Sequence, residues 1–337
     1  MSSKYQEIIN WLREEYKSGK YDENPRIPTE ASIMKLFDVS RHTVRRAVSE
    51  LISEGILESR QGSGIYFLKN EKTIRISFIS YSLDSYIFPK IISGISDELY
   101  KNSAELALFH SDYSIGKENQ LLEYCLKNEF DGIIFTPLYR KDYTELKTIL
   151  ADYRKNQVPV IFLDSVIPDF ENSAVRLNDY DGGRKAAEKF ISYGYDRMLV
   201  IFGSEHPGMI ERKNGFIDKI TETGKTEAEN IEISLRDSAM KLVEEENRKQ
   251  IEKSQAIFCC NDQIAAVLYM KYSEILKDKM IIGFDNSHAS ELLKISSFRH
   301  PQEYAGTIAA RNILSAIDTK WLQVNQSTVF EAELVER

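Results

Sequence analysis

Cysteine is scarce in this chain, with three in 337 residues. Cys125, Cys259 and Cys260 sit in apolar surroundings, the adjacent pair is unsuited to bridging itself, and no His or Cys stands at zinc-ligand spacing. A disulfide scaffold and a structural zinc site are thereby excluded, leaving three reduced core thiols. No apolar run approaches membrane-spanning length, and Met1-Ser2-Ser3-Lys4-Tyr5-Gln6-Glu7 opens a polar amphipathic helix, not a secretory signal. A membrane partner is therefore not expected, and a cytoplasmic location is. Gly-x-Gly-x-x-Gly, Walker, Gly-x-Ser-x-Gly and His-Glu-x-x-His motifs are all missing, so neither an enzyme nor a cofactor is indicated. Internal repeats and low-complexity segments are missing too.

A strong basic excess is also lacking. The net charge is −8. Residues 1–70 carry 11 basic and 10 acidic side chains, and the rest of the chain carries 33 and 42. The first segment is thus close to neutral and the remainder acidic. Affinity for a polyanion must come from a local cluster and would gain from two such segments acting together. What is present is a 42% apolar composition and a length sufficient for two or three domains with their own cores.

Pro28-Thr29-Glu30 opens a helix with Thr29 at its N-cap, and Ile33, Leu36 and Phe37 give that helix a core face. Asp38-Val39-Ser40 makes a turn, with Ser40 placed to cap a second helix whose Val44, Val48 and Leu51 recur at helical spacing. Arg41, His42, Arg45 and Arg46 remain outside, near the helix N-terminus, where a recognition helix carries its contacts. Leu57–Arg60 and Ile65–Leu68 flank Gln61-Gly62-Ser63-Gly64 as a hairpin wing. This order of elements resembles the GntR family of bacterial repressors over the first seventy residues or so. One departure is Ala31, where many relatives carry a basic residue. The pattern points to double-stranded operator DNA as partner. Arg41 is expected to read guanine and Glu30 to accept from a cytosine amino group. Lys4, Tyr5, Ser40, Thr43, Arg45 and Arg46 are expected to hold phosphates beside His42, with Gln61, Gly62, Ser63 and Gly64 near the minor groove.

After a polar linker, residues 69–73, the pattern changes to alternating strands and helices. Strands are expected at Ile74–Ser80, Ala104–Phe109, Gly132–Phe135, Val158–Leu163, Arg197–Phe202, Ile231–Ser234, Ala256–Cys259 and Lys279–Gly283. Helices are expected at Ile91–Tyr100, Glu118–Asn128, Thr144–Asn156, Gly182–Tyr193, Ile210–Glu222, Met240–Glu252, Asp262–Lys271 and Glu303–Ile317. Such alternation implies parallel sheets covered on both faces, and the number of units implies two doubly wound subdomains.

Five anchors stand in order: Phe130-Asp131-Gly132-Ile133-Ile134, Gly194-Tyr195, Arg212-Lys213-Asn214-Gly215-Phe216, Cys260-Asn261-Asp262-Gln263-Ile264-Ala265-Ala266 and Gly283-Phe284-Asp285-Asn286-Ser287. From about Ile74 to Arg337 they resemble the LacI-type effector domain, itself similar to periplasmic sugar-binding proteins. The expected fold is therefore α/β: a winged helix-turn-helix at residues 1–68, the linker, and a two-subdomain periplasmic-binding-protein-like effector and dimerisation domain with parallel sheets at 74–337. A GntR head on a LacI-type body resembles the arabinose-responsive repressors. The runs Tyr86–Ile95, Arg41-His42-Thr43, Asp285-Asn286-Ser287-His288 and His300-Pro301 share that resemblance. It implies a homodimer on a palindromic operator, released by a small sugar effector, L-arabinose first and other pentoses next.

The chemistry of a sugar site can be argued separately. An aromatic covers the C–H face while Asp, Asn and Arg make directional bonds to hydroxyls, at the carboxyl ends of the strands. Tyr86 and Phe88 follow the first strand, Ser111 and Asp112 the second, and Asp164 the fourth. Arg212 lies in the helix after Arg197–Phe202, Asp262 follows Ala256–Cys259, and Asp285 follows Met280–Gly283. The resemblance adds Asn178, which stands where the family usually has Asp, with His206 and His288. Each has a second reading: Phe88 as core, Asp262 as an N-cap, Arg212 as a surface cation, Asp285 as a hinge residue, and both histidines as surface polar groups. Hinge crossings are expected near Leu163–Ser165, Gly283–Asn286 and Ile317–Lys320. Three rivals share parts of this layout. An exported sugar-binding protein would need a signal. An aminotransferase fusion would need a longer body and its Schiff-base lysine. A purine-responsive repressor would need aromatics on both faces of its ligand.

Overall fold

The N-terminal segment closes around one small core because three helices and a hairpin each contribute an apolar stripe. A computed structural model describes residues 4–17, 21, 25–68, 73–83, 85–170, 173–224, 227–235, 244–319 and 327–337. The chain divides into two units, Met1–Thr73 and Ile74–Arg337; residues 69–72 of the expected linker lie outside the described residues.

In the first unit α1 (Lys4–Lys17) buries Ile8, Ile9 and Leu12 against Ile33 of α2 (Glu30–Phe37) and Val44, Ala47, Val48 and Leu51 of α3 (Arg41–Ser53). Thr29 caps α2 by accepting from the Ser32 amide, and Ser40 caps α3 by accepting from the Thr43 amide. Asp38 turns the chain between them in the left-handed region, with φ 51°. The hairpin pairs β1 (Leu57–Arg60) with β2 (Gly64–Phe67), Leu57 opposite Phe67, so its second strand begins one residue earlier than the sequence suggested. Leu36 corrects the expected core face: it is 63% exposed, because Phe37, not Leu36, follows Ile33 on the face turned to the core and packs on Trp11 of α1.

The second unit runs β3 (Arg75–Ser80), α4 (Phe88–Lys101), β4 (Glu105–His110), α5 (Ile115–Lys127), β5 (Gly132–Phe135), α6 (Thr144–Lys155), β6 (Val160–Leu163), β7 (Ala174–Leu177), α7 (Asp179–Ser192), β8 (Arg197–Gly203), α8 (Pro207–Thr223) and β9 (Glu227–Ile233). It continues with α9 (Glu245–Lys253), β10 (Ala256–Cys259), α10 (Asp262–Tyr272), β11 (Met280–Asp285), α11 (His288–Leu293), β12 (Ser296–Arg299), α12 (Gln302–Asp318), β13 (Thr328–Phe330) and β14 (Leu334–Val335). Residues 240–243 of the helix expected at Met240–Glu252 lie outside the described residues.

Two six-stranded sheets result, ordered β13-β7-β6-β5-β3-β4 and β14-β12-β11-β10-β8-β9. All neighbours are parallel except β12 with β14. β5, β6 and β10 are buried along their whole length, as strands covered on both faces must be. Helices α4 and α12 pack together in the first lobe and α7 and α8 in the second.

The chain crosses between lobes three times, and each crossing lies elsewhere than expected. The first falls at Leu177–Asp179, after β7, not at Leu163–Ser165. The second falls at Arg299–Gln302, between β12 and α12, not at Gly283–Asn286. The third falls between β13 and β14, not at Ile317–Lys320, of which Lys320 lies outside the described residues. Strands β7, β12, β13 and β14 are four residues or shorter, and each unrecognised strand displaced the crossing that follows it.

Candidate functional site

The recognition surface of the first unit is built from two capped helices and one turn. The cap at Ser40 fixes where α3 begins, which leaves Arg41, His42, Arg45 and Arg46 exposed on its first turns. Glu30, in the first turn of α2, takes ion pairs from Arg41 Nε at 3.1 Å and Arg45 Nε at 3.0 Å. Arg46 lies over the Tyr5 ring, 4.4 Å from its centroid, and the Tyr5 hydroxyl donates to Glu50. Tyr5 is thus held by α3, and Lys4 pairs with Glu7. In the wing Gly62 and Gly64 have φ of +75° and +124°, values that side-chain-bearing residues rarely adopt. Gln61 and Ser63 are exposed beside them, and Ser63 shares a hydrogen bond with the Tyr66 hydroxyl.

In the second unit the carboxyl ends of both sheets carry a continuous polar cluster. Asp164, one residue past β6, is shared by two histidines: His206 Nε2 lies 3.0 Å from Oδ2 and His300 Nε2 lies 2.8 Å from Oδ1. His206 caps α8 in the opposite lobe, accepting from the Met209 amide through Nδ1. Burial alone would push the Asp164 carboxyl up, but the two histidines outweigh it and hold it well below the usual carboxylate range.

Arg212 is buried on α8. Its Nε donates to Asp179 Oδ1 at 2.6 Å and one terminal nitrogen to the Cys260 carbonyl at 2.6 Å, with Asp285 3.7 Å away and the Phe284 ring beneath. The crossing of α7 and α8 makes this possible. A Cβ on Gly183 would stand 1.9 Å from the Arg212 carbonyl oxygen, so only glycine lets the helices approach this closely. Tyr86 reaches from the first lobe to hydrogen-bond Asp285. Asp262 accepts from the Ser287 amide at 2.6 Å and the Ser297 hydroxyl at 2.7 Å. Burial, then the Asp285 charge, pushes its pKa up to about 6 despite those donors. The helix cap itself is Asn261, which accepts from the Ile264 amide, so the N-cap reading of Asp262 moves one residue back.

Asp164 and Asp285 have φ of 69° and 94°. Each turns its backbone sharply at a strand end and aims its carboxylate at the opposite lobe. Ser111 Oγ, Thr136 Oγ1, Ser165 Oγ and His300 Nδ1, also beyond strand ends, are buried without a hydrogen-bond partner among the described residues. Beside the cluster a cavity of about 430 Å³ opens between Tyr86 and Lys90 of the first lobe, Gln263, Ser287 and His288 of the second, and Gln302 at the start of α12. That volume falls within the ~300–1,000 Å³ usual for small-molecule sites.

Of the residues singled out from sequence, Tyr86, Asp164, His206, Arg212, Asp262 and Asp285 come together here, and Ser111 is buried beyond the end of β4. Four are placed otherwise. Phe88 is core, packed on Phe78 and Tyr81. Asn178 caps α7, and its neighbour Asp179 carries the carboxylate beside Arg212. Asp112, with a side chain 71% exposed, turns outward to Lys117 and His110 because the chain bends in the left-handed region directly after Ser111. His288 has its side chain 80% exposed and bonds Glu291, reaching only the cavity rim. Sequence reasoning missed Tyr81, whose ring meets His206, together with Asp179, Ser297 and His300. The available signals were the Asn178-Asp179 pair and His300-Pro301. The three cysteines are buried and unbridged, and no described helix is long and apolar enough to cross a membrane.

Residues 4–67 match the family described as bacterial regulatory proteins, gntR family, and residues 73–294 match periplasmic binding proteins and sugar binding domain of LacI family. The chain is 25% identical to an arabinose metabolism transcriptional repressor of Halalkalibacterium halodurans, covering 100% of this chain and 96% of the relative. It is also 25% identical to one of Geobacillus stearothermophilus, covering 98% and 95%. Among solved structures, a periplasmic binding protein/LacI transcriptional regulator from Alkaliphilus metalliredigens complexed with D-xylulofuranose superimposes with TM-score 0.65 at 22% identity, over 79% of this chain and 98% of that one. The lac repressor dimer bound to operator gives TM-score 0.65 at 17% identity, over 80% and 94%. The chain belongs to the LacI-type periplasmic-binding-protein family, carries a GntR-family DNA-binding domain ahead of it, and is a sugar-responsive transcriptional repressor, not an enzyme.

Proposed function

We propose that L-arabinose, with other pentoses next, is the effector, and that it releases a dimer of this chain from a palindromic operator. The observation that carries a sugar is the concentration of buried carboxylates, Arg212 and unpaired hydroxyls at the strand ends of both lobes, which is the donor and acceptor set that a ring of hydroxyls needs. The choice of arabinose rests on the full-length likeness to two arabinose metabolism repressors. Tyr81, Tyr86 and Tyr113 reach the strand ends from the first lobe, an arrangement suited to covering one face of a sugar.

On the DNA side, Arg41 reads guanine and Glu30 accepts from cytosine once the duplex draws the arginines away. Lys4, Tyr5, Ser40, Thr43, Arg45 and Arg46 hold phosphates, and the wing glycines let the backbone approach the minor groove. The test is calorimetric titration of the full chain with L-arabinose, other pentoses, hexoses and purine bases. Binding by L-arabinose that is lost in Arg212→Ala supports the reading. Heat with a purine base and none with any pentose overturns it.

A further inference from the structure

The polar cluster reaches the second crossing between the lobes through a buried histidine. His300 stands on the hinge itself, between β12 and α12. Its Nε2 is committed to Asp164 of the first lobe, and its Nδ1 is buried with no partner among the described residues. His206 holds the other Asp164 oxygen, but its Nδ1 is already engaged, accepting from the Met209 amide. Of the two rings on Asp164, His300 is the one with a nitrogen that has no partner among the described residues.

We propose that effector binding in this cleft is coupled to uptake of a proton from solvent at His300 Nδ1, which makes the hinge histidine a positioning residue whose charge favours the sugar-bound form. This rests on the reading that the cleft holds a sugar. The groups facing His300 are Asp164 past β6, Asp285 at the end of β11 and Arg212 on α8, with Tyr81 and Tyr113 of the first lobe, His206 on α8 and Asp179 on α7 around Asp164. Carboxylates outnumber the one fixed cation, Arg212. Burial opposes a charged ring, but the Asp164 hydrogen bond and charge outweigh it, with Asp285 adding and Arg212 subtracting, so His300 stands above the usual histidine value. A sugar hydroxyl oxygen accepting from Nδ1–H satisfies the donor that protonation creates. By excluding water it also strengthens the pull of both carboxylates. The N–H bond formed at Nδ1 is the whole of the chemistry, with the proton supplied by buffer. The sign follows from linkage: the bound form holds more protons, so affinity rises as pH falls.

The experiment is calorimetry of the full chain with L-arabinose at pH 7.5 in two buffers of different ionisation enthalpy, repeated from pH 6.5 to 8.5. Expected are uptake of up to one proton per site and an affinity that weakens by several-fold, at most about tenfold per pH unit. His300→Gln, which keeps a donor to Asp164 but cannot titrate, should abolish both effects, whereas His110→Gln, at the exposed end of β4 and outside the cluster, should retain them. Should His300→Gln fail to fold, the wild-type His300 ring resonance serves instead, and its titration must move to higher pH on adding L-arabinose. Equal heats in both buffers, uptake persisting in His300→Gln, or an unmoved resonance each overturn the coupling. No binding heat at any pH overturns the effector reading itself, and the coupling with it.

Discussion

Asp262 sets a slope that can be measured. Its carboxyl is pushed up to about 6 by burial and by Asp285, above the ~3.9 of an unfolded chain. A group raised in this way stabilises the fold fully below about pH 4, and that contribution is lost as pH rises through about 6. Stability of the body should therefore fall between pH 4 and pH 6, by about 2–3 kcal/mol from this group. Asp164 acts in the opposite sense only at pH below the ordinary carboxylate range, because its own value is lowered. Denaturant unfolding across that window should show the slope in the wild type and a flatter profile in Asp262→Asn; identical profiles would remove Asp262 as its source. In the head, Glu30 holds Arg41 and Arg45 through exposed ion pairs, worth about 0–1 kcal/mol and so easily given up to DNA. Arg41→Ala should leave stability nearly unchanged, cost about 1–3 kcal/mol of operator affinity and relax sequence preference. Titrations against point-substituted duplexes check this, and unchanged selectivity refutes it. At this scale the strand-end rule located Asp164, Asp262 and Asp285 from sequence. It could not tell Ser111 from Asp112 or Asn178 from Asp179, because a one-residue difference in backbone turn decides which side chain enters the cleft.

Among the elements, the close crossing of α7 and α8 does most to position the site. Gly183→Ala would set a Cβ 1.9 Å from a backbone oxygen that cannot swing aside. The helices must part, Arg212 loses Asp179, and the body should lose about 1–3 kcal/mol or more, with effector affinity falling alongside. Gly116→Ala on α5, where nothing lies within 4 Å, is the matched control and should cost nothing. Thermal unfolding of the pair decides it: equal melting temperatures would mean the crossing is slack. Long amphipathic helices and strands of continuous apolar residues were legible because their periodicity runs over many positions. Ser296–Arg299, Thr328–Phe330 and Leu334–Val335 were not, since two to four residues, some polar, carry no period and exist as strands only through the neighbours that pair with them.

For the whole molecule, the two-lobed α/β body and the capped head followed from the order of elements, while the hinge did not, because each crossing depends on a strand too short to read. The crossings at Leu177–Asp179 and Arg299–Gln302 carry Asp179 and His300, so residues that join the lobes also belong to the polar cluster. A sugar that prefers the closed lobes shifts the population toward them only by its differential affinity, and operator DNA must weaken sugar binding by the same factor that sugar weakens operator binding. The most direct test is operator affinity of the full chain with and without saturating L-arabinose at one fixed salt concentration. Operator binding should be roughly 5–150-fold weaker with the sugar; equal or tighter binding would contradict release by L-arabinose.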